Sequence, residues 1–355
     1  MFARRTVAGM ISTLRRIAPA LLLLVLSPIV AEFLLGDFTV RQLALVLVFL
    51  TLYGGGALLI REVTRRTGRG WPTMIALGIA YALIEEGFAT QSLFDPHYAG
   101  ARLLDYGFIP WLGTSLHWSV FVLSIHVVWS IATPIAIVEG LSADRRTTPW
   151  LGRVGLTVAA VLYVFGVVAT TAFSLQTYKF MSSPAQLVGV AVLVALAVVA
   201  AFVIFRPRVA EPRAGWVPPP WLAGIVALAL SSALVVIDGD SQARGVPAAL
   251  SVLGMLACEA IAIALFATWS RRAGWGPLHP VAMAAGAILT YSWLSLSAFL
   301  LRGATNLGTR VDAVDVAGQL VMVAAVLALV AWSALVTART AAPASPQAAA
   351  GLPTP

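Results

Sequence analysis

Charge is scarce in this sequence: 11% of its 355 residues are Asp, Glu, Lys or Arg, against about a quarter in soluble domains. A water-soluble fold of this length cannot cover its surface with so few polar groups, which excludes soluble enzymes, secreted domains and nucleic-acid binders. Cysteine occurs once, as Cys258 inside an apolar run, so an internal disulfide framework and a cysteine-based zinc site are excluded as well. Lysine also occurs once, as Lys179, and the other basic residues are all arginine. With the load of alanine and valine, that usage points to a GC-rich bacterial genome and a plasma membrane.

Apolar residues supply what the chain has in abundance, at 60%. A bilayer core of roughly 30 Å needs about 20 apolar helical residues per span. Ten stretches qualify: 17–35, 43–60, 73–94, 117–140, 154–174, 186–205, 220–237, 247–269, 280–301 and 314–336. Only helices and closed barrels satisfy their backbone in lipid, and such long continuous runs are helices. The expectation is an all-α polytopic bundle, residues 1–336, followed by a disordered cytoplasmic tail, 337–355, that contains four prolines and nothing to bury.

The loops test this count. With the N-terminus inside, the inner segments hold seventeen of the 23 basic residues, among them Arg4, Arg5, Arg61, Arg65, Arg66, Arg145, Arg146, Arg208, Arg271, Arg272 and Arg339. The outer loops hold six, beside seven aspartates. This alternation follows the positive-inside rule and places both termini in the cytoplasm. Residues 1–35 have a basic start like a signal peptide, but the apolar run is long and lacks a clean cleavage site, so they read as a retained first helix.

A parallel repeat is also suggested. Arg65-Arg66-Thr67-Gly68-Arg69-Gly70 parallels Arg271-Arg272-Ala273-Gly274-Trp275-Gly276, each followed by a helix-opening proline (Pro72, Pro280) and a glycine six residues on (Gly78, Gly286). Repeats over 17–141 and 220–336, around an insert at 150–205, would give a 4+2+4 plan of a kind used by transporters.

Ionisable side chains at bilayer depth are costly, about 2.5–3.5 kcal/mol each on insertion scales, and are therefore functional candidates. Glu85 and Glu86 stand near the middle of the third span, about 20 Å from its start at about 1.5 Å per residue. Two adjacent carboxylates resist ionising together, which suits a proton-carrying group; a packing pair held by hydroxyls is the alternative. On the next span, His126 falls at a comparable depth, with Ser130 one turn on and Pro134 breaking or kinking the helix beyond. His117 is nine residues earlier, on the opposite helix face, and reads as an interfacial residue. Glu259 on the eighth span aligns by the repeat with Tyr53, which precedes Gly54-Gly55-Gly56. On the ninth, Tyr291, Ser292 and Trp293 suit a polar cavity wall. Tyr81, Glu259, Tyr291, Ser292 and Trp293 are thus candidate substrate-binding residues. Glu32 and Glu139, near span ends, read as structural.

The acid pair followed by histidines on the next span resembles the CPBP (CAAX protease and bacteriocin-processing) family of intramembrane peptidases. That family's pattern is similar to Glu-Glu-x-x-x-Arg, Phe-x-x-x-His and His-x-x-x-Asn. Glu85-Glu86 and the histidines His117 and His126 match it, while Thr90, Gly113 and Ser130 stand in place of its Arg, Phe and Asn. The stretch from Glu85 to Tyr98 also resembles segments of uncharacterised bacterial multi-pass proteins.

Two functions follow as expectations. In a transporter, Glu85, Glu86, His126 and Glu259 would bind protons or a cation coupled to movement of a small molecule. In a hydrolase, a peptidase acting on a membrane peptide if the resemblance holds, Glu85 or Glu86 would activate water as general base to cleave a bond in the bilayer. His126 would serve as metal ligand or oxyanion donor, with His126 and Glu86 the candidate ligands of a possible divalent metal. A membrane scaffold subunit is the third reading. The bilayer is the one certain partner, and no nucleic acid is expected.

Overall fold

The computed structural model describes residues 16–206 and 211–341. Ten helices in it are long and apolar enough to cross a bilayer: α1 Arg16–Leu34, α2 Val40–Arg66, α3 Trp71–Ala89, α4 Leu116–Leu141, α5 Arg153–Tyr178, α6 Pro184–Ile204, α7 Pro220–Ser241, α8 Ala248–Trp269, α9 Leu278–Arg302 and α10 Ala313–Ala341. Two short strands, β1 Phe108–Ile109 and β2 Thr114–Ser115, pair antiparallel in the loop before α4. The chain is a polytopic helical bundle with its spans where hydropathy puts them.

Three boundaries differ from the expectation by five residues or more. α3 stops at Ala89 instead of reaching 94, because Gln91 adopts a left-handed φ of 58° and the Thr90 and Ser92 hydroxyls turn back onto Glu86. α2 continues to Arg66, since Arg61 and Glu62 are paired inside the protein and need no water. α10 runs through Ala341, so Thr337–Ala341 are helix and not tail: Thr337 is buried and donates to the Gly140 carbonyl at 3.0 Å. The rest of the expected tail, together with Arg4, Arg5 and Arg208, lies outside the described residues.

α4 is the hub. It packs against α3, α8, α9 and α10, and its middle meets the end of α1. Inside the bundle, 67% of the most apolar stretch of α3 is buried, whereas α5 and α6 bury 11% and present the rest outward to lipid. Gly54, Gly55 and Gly56 pack against three different helices. A Cβ there would strike the Leu24 backbone of α1, the Tyr163 backbone of α5 and the Tyr81 ring of α3 in turn. Successive residues about 100° apart around a helix produce that fan, and small residues let membrane helices approach this closely. The two glycines paired by the suggested repeat face different neighbours: Gly286 lies on the α7 backbone, Gly78 on Val127 of α4.

The arginine-rich end is held by a buried ionic network. Arg61, with no exposed surface, bonds Glu62 at 2.7 Å, Glu139 at 3.0 Å and the carbonyls of Arg145 and Arg146, and lies 3.5 Å from the Trp150 ring. Glu62 also accepts the backbone N–H groups of Trp150 and Leu151, and Arg65 grips Glu139 with two nitrogens. Nearly every donor and acceptor is used, the condition under which buried charge is tolerated. Glu139, near the end of α4, joins the network through Arg61 and Arg65. His279 stands at the start of α9. It is buried, stacked on Trp275 with ring centroids 4.2 Å apart, and its Nε2 is 3.0 Å from the Pro218 carbonyl.

Candidate functional site

Among the described residues, six of the helices contain π turns, and four of these turns bring polar side chains to one cluster. α1 over Ile29–Leu34, α2 over Leu50–Gly54, α3 over Glu85–Ala89 and α4 over His126–Ala132 each widen from α to π turns. Such bulges cost regular hydrogen bonding and are frequent at functional sites. In α4 the cause is local: Pro134 has no N–H for the Ser130 carbonyl, and Ser27 of α1 donates to that carbonyl instead at 2.6 Å.

Each widened turn carries a polar side chain into the same place. His126 Nε2 stands 2.6 Å from Glu86 Oε1, and Nδ1 stands 3.2 Å from Glu85 Oε2 and 3.1 Å from Ser130 Oγ. All three ionisable residues are buried, Glu85 to 1% exposure. Glu86 is further fixed by Thr90 Oγ1 at 3.0 Å and by Ser92, whose hydroxyl receives the Trp118 indole N–H. Glu85 is the opposite case: neither of its oxygens receives a hydrogen bond, and the buried Tyr81 hydroxyl has no partner either.

Aromatic rings wall the cluster. Tyr53 of α2 stacks on the His126 ring with centroids 6.0 Å apart, and Tyr81 meets it edge-on at 6.3 Å. Tyr53 donates its hydroxyl hydrogen to Glu32 of α1. Tyr81 also lines an apolar cavity of about 180 Å³ shared with Gly56, Leu59, Ile84, Tyr163 and Phe202. Beyond Glu32, between α1 and α2, burial and the neighbouring Glu32 carboxylate hold the Asp37 carboxyl well above the ordinary carboxylate range. Asp37, Glu32, Tyr53 and His126 thus follow one another inward from the aspartate-bearing end.

Of the residues singled out by sequence, the structure brings Glu85, Glu86, His126 and Tyr81 together. It does not bring the other four to them. Glu259 is half-buried on α8 and accepts from Ser124 of α4, on another face of that helix from His126. Tyr291 stacks flat on Trp129, centroids 4.3 Å apart, where Trp129 also donates to the Ala287 carbonyl at 2.8 Å. Ser292 donates to Ile288 O of its own helix, and Trp293 to Ser232 Oγ. These contacts join α9 to α4 and α7, and they explain two tryptophans placed mid-span. His117 lies against Tyr106 and 3.7 Å from Asp238.

Two members of the site, Glu32 and Tyr53, were not recognised as such from sequence. Glu32 is an acid inside an apolar span, which was signal enough; its position near the helix end concealed it. The acid pair also sits nearer the end of its helix than expected, because α3 ends at Ala89.

Together, ten lipid-length helices and a buried acid–histidine cluster define a multi-pass helical membrane protein with a polar centre inside the bundle. A family model described as an uncharacterized membrane protein family matches residues 21–346, and the chain belongs to that family. No curated protein and no solved structure matches it.

Proposed function

We propose that the protein is a proton-coupled transporter of a small molecule, with Glu85, His126 and Glu86 as the coupling centre. One observation carries the reading: both ring nitrogens of His126 face a buried carboxylate, one on each side. A protonated imidazole there compensates both anions. Without that proton, two carboxylates remain close together in a medium of low dielectric, where like charges repel far more than in water. Both carboxylates belong to α3, so parting α3 from α4 relieves the strain by letting water reach them, and gain or loss of one proton biases the bundle between two arrangements. The π turns on both helices supply slack at that point. Asp37, Glu32 and Tyr53 supply polar groups between the centre and the aspartate-bearing end, which the arginine distribution assigns to the outside of a bacterial plasma membrane.

The peptidase reading has less support. The resemblance needs two histidines at one centre, and His117 packs instead against Tyr106 and Asp238.

The test is a pH jump applied to the protein reconstituted on a solid-supported membrane, with the displaced charge recorded. Wild type gives a transient that falls at least tenfold in Glu86→Gln and in His126→Gln. Equal transients in all three proteins would remove the coupling centre from the mechanism.

A further inference from the structure

The contact between His126 Nδ1 and Glu85 differs in kind from that between Nε2 and Glu86. At Nε2 the separation is 2.6 Å and counts as a hydrogen bond. Glu86 is anchored from behind by Thr90 and Ser92. At Nδ1 the hydrogen bond is with Ser130 Oγ at 3.1 Å, and the buried Glu85 oxygen 3.2 Å away receives none. A carboxylate oriented by other donors and bonded to one nitrogen of a histidine is the usual outer support of a metal-ligating imidazole, whose other nitrogen faces the ion. The second separation also fits. Donors about 2.0–2.2 Å from a tetrahedral ion stand about 3.3–3.6 Å from one another, and Glu85 Oε2 and Ser130 Oγ lie slightly closer to Nδ1, at 3.2 and 3.1 Å. One ligand atom from each of Glu85, Glu86 and His126 lies within 4.8 Å of the others.

We infer that His126 Nδ1 and Glu85 together bind a divalent transition-metal ion, and that this ion is the cargo exchanged for the proton. The assignment of cargo rests on the transport reading above; the assignment of the site does not. An imidazole nitrogen beside a carboxylate selects zinc, manganese, cobalt and their neighbours over calcium or magnesium, which take oxygen ligands. The chain offers one nitrogen and one carboxylate, with the Ser130, Tyr53 and Tyr81 hydroxyls nearby. That is fewer firm ligands than the four of a closed structural site, and suits an ion that must leave again.

The exchange balances simply. The ion forms coordinate bonds to Nδ1 and to Glu85, the Nδ1–H bond breaks, and one proton leaves, with no change of oxidation state. Metal and proton exclude each other because they use the same lone pair. The groups facing His126 while this happens are Glu32 from α1, Tyr53 from α2, and Tyr81, Glu85 and Glu86 from α3.

The experiment titrates the full-length protein in lipid nanodiscs with Co²⁺, following its visible absorption and the protons released, beside the pH-jump recording. The expected result is one Co²⁺ per chain with about one proton released, binding weakened at least a hundredfold in Glu85→Gln and in His126→Gln, and weakened about 10- to 100-fold in Glu86→Gln, where only the outer support is lost. Zn²⁺ displaces the cobalt and enters vesicles against an outward proton flow. Absence of saturable binding by wild type, or binding unchanged in both Glu85→Gln and His126→Gln, overturns the metal site, and a surviving pH-jump transient then leaves the proton reading in place. Metal bound as expected by a wild type with no transient and no vesicle uptake keeps the site and overturns its use in transport. Wild-type binding decides the question even where a variant fails to fold.

Discussion

Single residues in this protein carry charge where lipid offers no solvent, and each is tolerated only with partners. Glu62 shows the rule at the arginine-rich end: fully buried, it takes Arg61 and two backbone N–H groups. Removing one partner of a buried pair costs about 3–5 kcal/mol, because the other charge stays behind uncompensated. Glu62→Gln keeps the shape and loses the charge; unfolding followed by circular dichroism should show a loss of about 3 kcal/mol. Asp37 gives a prediction in pH. Its carboxyl is held above its ordinary range in the folded protein, so the folded state holds that proton more tightly than the unfolded one. Stability therefore falls as pH rises above the unfolded value. Melting temperatures at pH 5 and pH 8 should differ more in wild type than in Asp37→Asn; an equal difference would show that Asp37 is not the cause.

At the scale of elements, the helices owe their positions to small residues and to breaks. Gly54 has no room for a methyl group against the Leu24 backbone, whereas Gly78 meets Val127 at an ordinary 3.6 Å. Backbone cannot give way as a side-chain end can, and overpacking typically costs about 1–3 kcal/mol. Gly54→Ala should therefore lose about 2 kcal/mol or more, and Gly78→Ala should match wild type within error in the same unfolding assay. The Pro134 break acts on function. Restoring an N–H with Pro134→Ala lets the Ser130 carbonyl bond within α4 and tightens the π turn that presents His126. The fold should persist, and the pH-jump transient should shrink several-fold; an unaltered transient would show that the π turn in α4 is not needed.

For the whole molecule, the positive-inside rule predicts which way the bundle faces from its arginine distribution. In a Cys258→Ala background, a single cysteine at Thr147, exposed at the arginine-rich end, should react with an impermeant maleimide only after the membrane is opened. One at Leu307, 55% exposed at the other end, should react in intact cells. The reverse pattern would invert the bundle and with it the direction of the proposed proton path. That path would open at the Asp37 end, while the Arg61–Glu62–Glu139 network closes the opposite one.

The spans and the all-α class were legible in the chain because a lipid core demands some 20 apolar residues per crossing, a local property that hydropathy reads directly. The core of the site was legible for a related reason: Glu85, Glu86 and His126 are conspicuous inside apolar runs, where each ionisable group is costly. Glu32 met the same criterion yet was set aside on depth alone. Convergence was not legible. Glu259 is as conspicuous as Glu85, but it faces Ser124 on another side of α4, and Tyr291 meets Trp129 instead of a cavity. Which face of a helix meets which neighbour depends on its rotation and crossing angle. Packing fixes both, through contacts such as those of the three glycines of α2, between residues far apart in the chain. The sequence by itself thus determined ten lipid-spanning helices and a short roll of buried charges. Only the tertiary structure decided which of those charges stand within reach of one another, because that depends on helix faces brought together by packing.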